Sequence, residues 1–316
     1  MKILIVCSGN AENFNFKLHQ AFVYEQIECI KKAFKIEYDT FFIKGKGFTG
    51  YLNNISILKK KIKSFDPEIV HAHFGLSGLL ACLQRKVPVV ITFHGSDAYI
   101  SRVMLISRIT AEFSRFNIFV SEKIQKKIDG NHRYSIVPCG INLDAFYPID
   151  MKVAREKLSM RSGKKYILFS SSFANTVKNS PLAFSAVNIL NMNSELIELK
   201  DKSRDEVNLL LNACDLLLLT SKSEGSPQII KEAMACNCPI VATNVGDIQE
   251  VIGSTEGCFI TSFDSRDIAD KIKLSIKFGK RTNGRKKIKH FDNELIAKKI
   301  YKIYKNVSER IDDYNN

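Results

Sequence analysis

Glu224 and Glu232 flank the stretch EGSPQIIKE, with a Gly-Ser-Pro step directly behind the first of them. The longer segment DLLLLTSKSEGSPQIIKEAMA (215–235) reads as a buried strand, a loop and a helix, with Ser226 as N-cap and Pro227 in the first helical position. The turn Gly225, Ser226, Pro227, Gln228 then offers free backbone N–H groups that a sugar or phosphate can accept from. Glu224 stands at the mouth of that turn. Glu232, two turns inside the helix, is placed to accept hydrogen bonds from adjacent ribose hydroxyls. Two carboxylates so spaced can grip two ends of one nucleotide-sugar. The competing reading is plain helix capping, with Glu232 a surface residue.

Other groups offer chemistry of their own. KYILFSSS ends in three serines, Ser171 among them, and is followed by Lys178. A hydroxyl-rich strand end followed by a lone lysine suits a diphosphate, with Lys178 as a point charge; a solvated surface lysine is the alternative. His94 follows the buried run PVVITF and precedes Gly95-Ser96-Asp97, at the carboxyl end of a strand, where open α/β sheets bind ligands. His71 and His73 have a metal-like spacing, but no carboxylate or cysteine close in sequence completes a set, and a core or rim role is favoured. GKGFTG (45–50) matches a dinucleotide fingerprint. The next strand, however, ends in His71-Ala-His73 rather than in the acid that would hold a ribose, so the glycines are read as a flexible, phosphate-tolerant loop.

The elements that must position these groups follow from the apolar runs. KILIV, DTFFI (39–43), EIVHAHF (68–74), PVVITF (88–93), NIFVS (117–121) and YSIVPCG (134–140) alternate with helical or loop segments. The rhythm restarts after residue 150 with KYILFSSS, SELIEL (194–199), DLLLLTS (215–221), CPIVATN (238–244) and CFIT (258–261). Strands alternating with helices predict parallel sheets covered on both faces, hence two α/β domains, 1–148 and 149–283. The last segment, 284–316, holds a lysine-rich helix over roughly 284–306, with Leu295, Ile296, Ile300 and Ile303 on its apolar face.

The chain of 316 residues carries a formal net charge of +14, shared by both halves, which calls for an anionic partner: nucleic acid, a phosphorylated ligand or an anionic lipid surface. No apolar run approaches the roughly 20 residues that span a bilayer, and the N-terminus lacks a signal-peptide pattern. Eight scattered cysteines without a C-x-x-C pair fit a reduced cytoplasm. The lysines lie mostly on helical faces, as in Lys59 to Lys63, without the interleaved aromatics of a single-strand binder, which weighs against nucleic acid.

The segment from Asp215 to Glu250, with EGSPQIIKE followed by AMACNCPIVATNVGD, resembles the E-x7-E signature of the family 4 retaining glycosyltransferases. The Ser8-Gly9 loop, HAHFGLSGLLA, VVITFHGSD and VPCGINLDAFYP extend the resemblance over nearly the whole chain, and GKGFTGYL and LLLLTSKSEGSP are most similar to the branch that builds bacterial capsular, teichuronic and exopolysaccharide chains. The resemblance implies the GT-B fold: two facing Rossmann-like parallel-sheet domains, with a C-terminal helix packing back on the first. It implies that Glu224, His94 and Lys178 act in catalysis, on the donor sugar and its diphosphate. Glu232, Gly225, Ser226, Pro227, Gln228, Ser171, Gly9 and Asn10 would bind the donor, and His73, Gly47 and Asp97 would lie on the acceptor side. The arginine that many relatives carry a few residues upstream of the lysine is absent from Phe173-Ala174-Asn175-Thr176-Val177.

The expected activity is transfer of a sugar from a UDP- or GDP-linked donor to a lipid-linked saccharide, with retention, no metal and no other cofactor. The protein would work in the cytoplasm as a peripheral protein on the inner face of the membrane. A GT-B sugar-nucleotide 2-epimerase and a basic nucleic-acid-binding protein are the rival readings.

Overall fold

The computed structural model of the chain describes residues 1–130 and 132–312. These fold as two units, Met1–Gly140 with the segment from Asn293 onward, and Ile141–Asp292. The divisions therefore fall at 140/141 and 292/293, where the sequence suggests 148/149 and 283/284.

The first unit is built on a six-stranded sheet of β1 (Lys2–Ser8), β2 (Glu37–Ile43), β3 (Ile69–His73), β4 (Val89–Phe93), β5 (Phe116–Phe119) and β6 (Tyr134–Ile136). Their order is β2-β1-β3-β4-β5-β6 and every pairing is parallel. Parallel neighbours need crossover helices, which cover both faces, so the inner strands are apolar throughout rather than alternating. Ile3, Leu4, Ile5 and Val6 of β1 are all fully buried.

The second unit repeats the plan with β7 (Lys165–Phe169), β8 (Ser194–Glu198), β9 (Leu216–Leu219), β10 (Ile240–Thr243) and β11 (Cys258–Thr261), ordered β11-β10-β9-β7-β8 and again all parallel. The four leucines of β9 are fully buried. In each sheet the strand order reverses once, between β1 and β3 and between β7 and β9. At such a reversal the loops leaving the two carboxyl ends diverge and open a crevice. The loops after β1, β3, β7 and β9 contain most of the residues singled out above.

The terminal segment departs from the single helix expected over 284–306. Gly284–Lys287 is a short helix, a 3-10 turn follows at Lys289–Phe291, and the long helix runs only from Asn293 to Asp312. The interruption has a physical cause. Arg285 is tied to the carbonyls of Phe146 and Leu143, and the Ile141 N–H donates to the Phe291 carbonyl, so 284–291 packs into the second unit's core. The long helix belongs to the first unit, burying Ile296, Ile300, Ile303, Tyr304 and Val307 beside β1 and β3, with Tyr301 stacked on Phe34. Leu295, expected on that apolar face, is exposed instead.

Candidate active site

In the second unit the loops leaving β7 and β9 meet through one ion pair. Lys178 Nζ lies 2.6 Å from Glu224 Oε1, and the Ser221 hydroxyl donates to the same oxygen at 2.6 Å. Backbone geometry holds the two loops in register. The Thr220 hydroxyl donates to the carbonyls of Lys178 and Asn179, and the Lys222 N–H donates to the Val177 carbonyl. Asn179 adopts the left-handed conformation that turns the chain into the helix Ser180–Ile189. On the far side of the β7 loop, Glu198 at the end of β8 accepts from the Ser172 hydroxyl and the Phe173 N–H, which holds its carboxyl below the usual range. Ser171 sits on this loop, half-buried, its carbonyl accepting from the Leu199 N–H.

The helix after Glu224 starts one residue later than the sequence suggests. It spans Gln228–Ala235 with Pro227 as N-cap, so Ser226 is not the cap and its hydroxyl is used elsewhere. Ser226 Oγ donates to Asp247 Oδ2 at 2.5 Å and accepts from Lys231 Nζ at 2.5 Å. Lys231 has no exposed surface; it lies 3.9 Å from Asp247 Oδ2 and over the Phe291 ring. Burial pushes the Asp247 carboxyl up, against the pull of Lys231 and Ser226. Beside it, Gly246 has φ +59, and a Cβ there would stand 2.6 Å from the Gly225 carbonyl oxygen. Only glycine lets the turn after β10 press this closely on the Glu224-Gly225 loop.

Glu232 is not a surface residue. It is 4% exposed, and Arg204, the first residue of the helix Arg204–Ala213, reaches its Oε1 at 2.5 Å while lying over the Phe146 ring. Arg204, Lys231 and Asp247 do not stand out in the sequence as site residues. Arg204 and Asp247 meet Glu232 and Ser226 only through the fold, while Lys231 is local but reads as one more polar residue on a surface helix.

In the first unit three histidines stack along β3 and β4. His71 is structural: its Nδ1 is 2.6 Å from the Tyr304 hydroxyl and its Nε2 2.8 Å from the Thr92 hydroxyl. His73 Nδ1 and His94 Nε2 are 3.3 Å apart, so one ring donates and the other accepts. Burial holds His71 and His94 down at about 3 and His73 well below its ordinary value, keeping the imidazoles neutral. Asp97 is buried and accepts from the N–H groups of Gly75 and His94, tying the loop after β3 to the loop after β4. In this arrangement it positions His94. Phe74, which the sequence does not single out, has φ +73 and ψ 145, a conformation costing a bulky residue about 1–3 kcal/mol, and its ring packs on His94.

Gly9 lies at the end of β1, where a Cβ would meet the Phe42 Cβ at 2.8 Å. Asn10 exchanges two hydrogen bonds with the backbone of Gly45, and Asn54 bonds the backbone of Lys44 and Gly50. The GKGFTG loop is thus clasped from both sides and runs into the short helix Gly47–Leu52, rather than being free as expected, with Gly47 at φ +69 in open space.

The fold and these sites have known counterparts. Residues 22–145 match the family model described as Glycosyltransferase Family 4, and residues 188–290 match Glycosyl transferases group 1. Together with the two parallel-sheet units they make the chain a glycosyltransferase of the GT-B type. An uncharacterised glycosyltransferase of Methanocaldococcus jannaschii is 26% identical, over 84% of this chain and 83% of its own length. The N,N'-diacetylbacillosaminyl-diphospho-undecaprenol alpha-1,3-N-acetylgalactosaminyltransferase of Campylobacter jejuni is 22% identical, over 82% of each chain. Among solved structures, that of Anabaena HepE in complex with UDP and glucose superimposes with a TM-score of 0.74 at 15% identity, covering 97% of this chain and 100% of that one.

Proposed function

We propose that the chain is a retaining, metal-independent glycosyltransferase that moves a sugar from a UDP- or GDP-linked donor onto a growing, lipid-linked saccharide at the inner face of a membrane. The observation that carries the donor is the Lys178–Glu224 pair, set at the reversal of the second sheet beside the Gly225–Gln228 turn. As the glycosidic bond breaks, negative charge gathers on the leaving diphosphate and positive charge on the sugar ring. Lys178 and the N–H groups of that turn stabilise the first, and Glu224, released from Lys178, holds the sugar hydroxyls. Glu232, steadied by Arg204, holds the ribose. The leaving phosphate takes the acceptor's proton, so no side chain serves as general base, and Lys178 stands where other transferases use a cation. HepE, solved with UDP and glucose, supports a nucleotide-linked donor, and the name of the Campylobacter relative supports a lipid-linked acceptor.

The test is a panel of UDP- and GDP-sugars assayed for hydrolysis and transfer, with the product anomer read by NMR. Turnover of at least one donor, retention at the anomeric carbon and full activity in EDTA are expected. Inverted product, activity restored only by magnesium or manganese, or epimerisation of the donor without transfer would each overturn the corresponding part of the reading.

A further inference from the structure

The helix Ser101–Phe113 of the first unit is built inside out. Its buried positions are Ser107, Thr110 and Ala111, while Leu105, Ile109 and Phe113 are 61%, 48% and 67% exposed. The small inner face has a packing reason. The helix Gly75–Cys82 lies so close that a Cβ on Gly75 would stand 2.3 Å from the Ser107 hydroxyl. Nothing in the packing calls for the large outer face. Leu105, Ile109 and Phe113 are spaced at i, i+4 and i+8, so they adjoin in one apolar stripe along the helix, and Ile100, 53% exposed, precedes it in sequence.

Basic groups frame the stripe. Arg102 and Arg108 share the outer face, and Arg108 is held there by two hydrogen bonds to the Lys127 carbonyl. At the C-terminal end Phe113 borders a cavity of about 450 Å³ lined also by Arg85, Lys86 and Arg115, at the amino edge of β4. Two acids adjoin this face: Glu112 lies 3.3 Å from His132 Nδ1, and Asp129 accepts from the N–H of Gly130, which abuts Glu112.

We propose that this face docks on an anionic lipid bilayer, with Leu105, Ile109 and Phe113 entering the acyl boundary and the arginines and Lys86 meeting lipid phosphates. Charge complementarity selects this occupant. A second copy would set the same cations against each other, at a cost that a lipid phosphate removes. The surface serves the lipid-linked acceptor proposed above, and rests on that reading for its purpose. The two basic runs of the sequence, Lys59 to Lys63 and Arg281 to Lys289, fit less well. Lys61 is already paired with Asp39, and Arg281 and Arg285 turn inward onto backbone carbonyls.

Sedimentation with phosphatidylglycerol–phosphatidylcholine vesicles, against phosphatidylcholine alone, tests the proposal on the whole chain without donor. Wild type is expected to pellet with the anionic vesicles and to be released by 1 M salt. The exposed double variant Leu105→Ser/Phe113→Ser should lose at least about tenfold in partitioning, and Arg102→Glu/Arg108→Glu should lose the salt-sensitive part. Ile57→Ser, an exposed apolar residue on another helix, should change nothing. Wild type left in the supernatant, or a double variant that pellets like wild type, overturns the proposal. So does a wild-type dimer that the double variant converts to a monomer, because the stripe would then seat a second copy. Nucleotide-sugar hydrolysis measured in parallel without vesicles separates the two readings: hydrolysis without pelleting sinks the docking surface alone, and pelleting without hydrolysis supports it while sinking the transferase.

Discussion

Glu224→Gln is expected to tighten the binding of free UDP while slowing turnover, an unusual combination that follows from the Lys178–Glu224 pair. With donor absent, Lys178 Nζ is 2.6 Å from Glu224 Oε1 and both side chains are largely buried. A diphosphate must therefore draw Lys178 away from a carboxylate. Two unit charges about 4 Å apart at an effective dielectric near 20 attract by about 4 kcal/mol. Partial exposure and the hydrogen bonds still open to the substituted amide reduce what the change returns to roughly 1 kcal/mol, or about fivefold tighter UDP. Turnover falls because the sugar loses a charged partner in the transition state, by about 100-fold. Lys178→Met moves both quantities the same way. It leaves Glu224 facing the diphosphate, weakens UDP, and costs more than about tenfold in kcat. Calorimetric titration with UDP and steady-state kinetics on the responsive donor measure both effects. UDP binding that weakens in Glu224→Gln, or a kcat within about twofold of wild type in either variant, would refute the exchange of partners.

Glu232→Gln should raise KM more than it lowers kcat, since a ribose contact is made before and during reaction alike; an unchanged KM would refute that role. Gly246→Ala should fold yet lose about tenfold or more in donor affinity, because its φ of +59 and the Gly225 carbonyl 2.6 Å from the new Cβ push the Glu224 loop aside; an unaltered UDP titration would show that the loop yields freely. Lys231→Met leaves Asp247 buried without its cation and should cost about 3–5 kcal/mol in urea unfolding, most of it recovered in Lys231→Met/Asp247→Asn; additive losses would refute the coupling. Unfolding should also become easier in acid. His71 and His94 stay neutral in the folded state down to about 3, so below pH 6.5 the unfolded chain takes up protons first, and each costs about 1.4 kcal/mol per pH unit. Asp97, raised to about 7 by burial, works in the opposite sense between pH 7 and 4, so with His73 the net loss is that of about two groups. A melting temperature flat from pH 7 to 5 would contradict the buried neutral histidines.

Much of this protein was legible in one dimension because its physics is local or periodic. Buried parallel strands must be apolar on both faces, so KILIV, PVVITF and LLLL stand out as strands without any knowledge of their neighbours. Their alternation with helices restricts the topology to open parallel sheets, whose carboxyl strand ends and following loops carry Gly9, His73, Lys178 and Glu224. What needed the tertiary structure is every property that depends on a partner distant in sequence. The cap position moved from Ser226 to Pro227 because Asp247, brought in from the turn after β10, bonds the Ser226 hydroxyl. Glu232 became a buried ion-paired group because Arg204 enters from another helix. His71 and His73 have the same residue type and adjoining positions on one face of β3, yet Tyr304 from the far end of the chain makes the first a structural brace, while His94 pairs with the second. The helix 284–306 broke because Phe291 and Arg285 are held by the core around Phe146. The outward apolar stripe of Ser101–Phe113 was hidden for the same reason: periodicity identifies an apolar face, but only the close approach of Gly75 to Ser107 decides that the face turned inward is the other one.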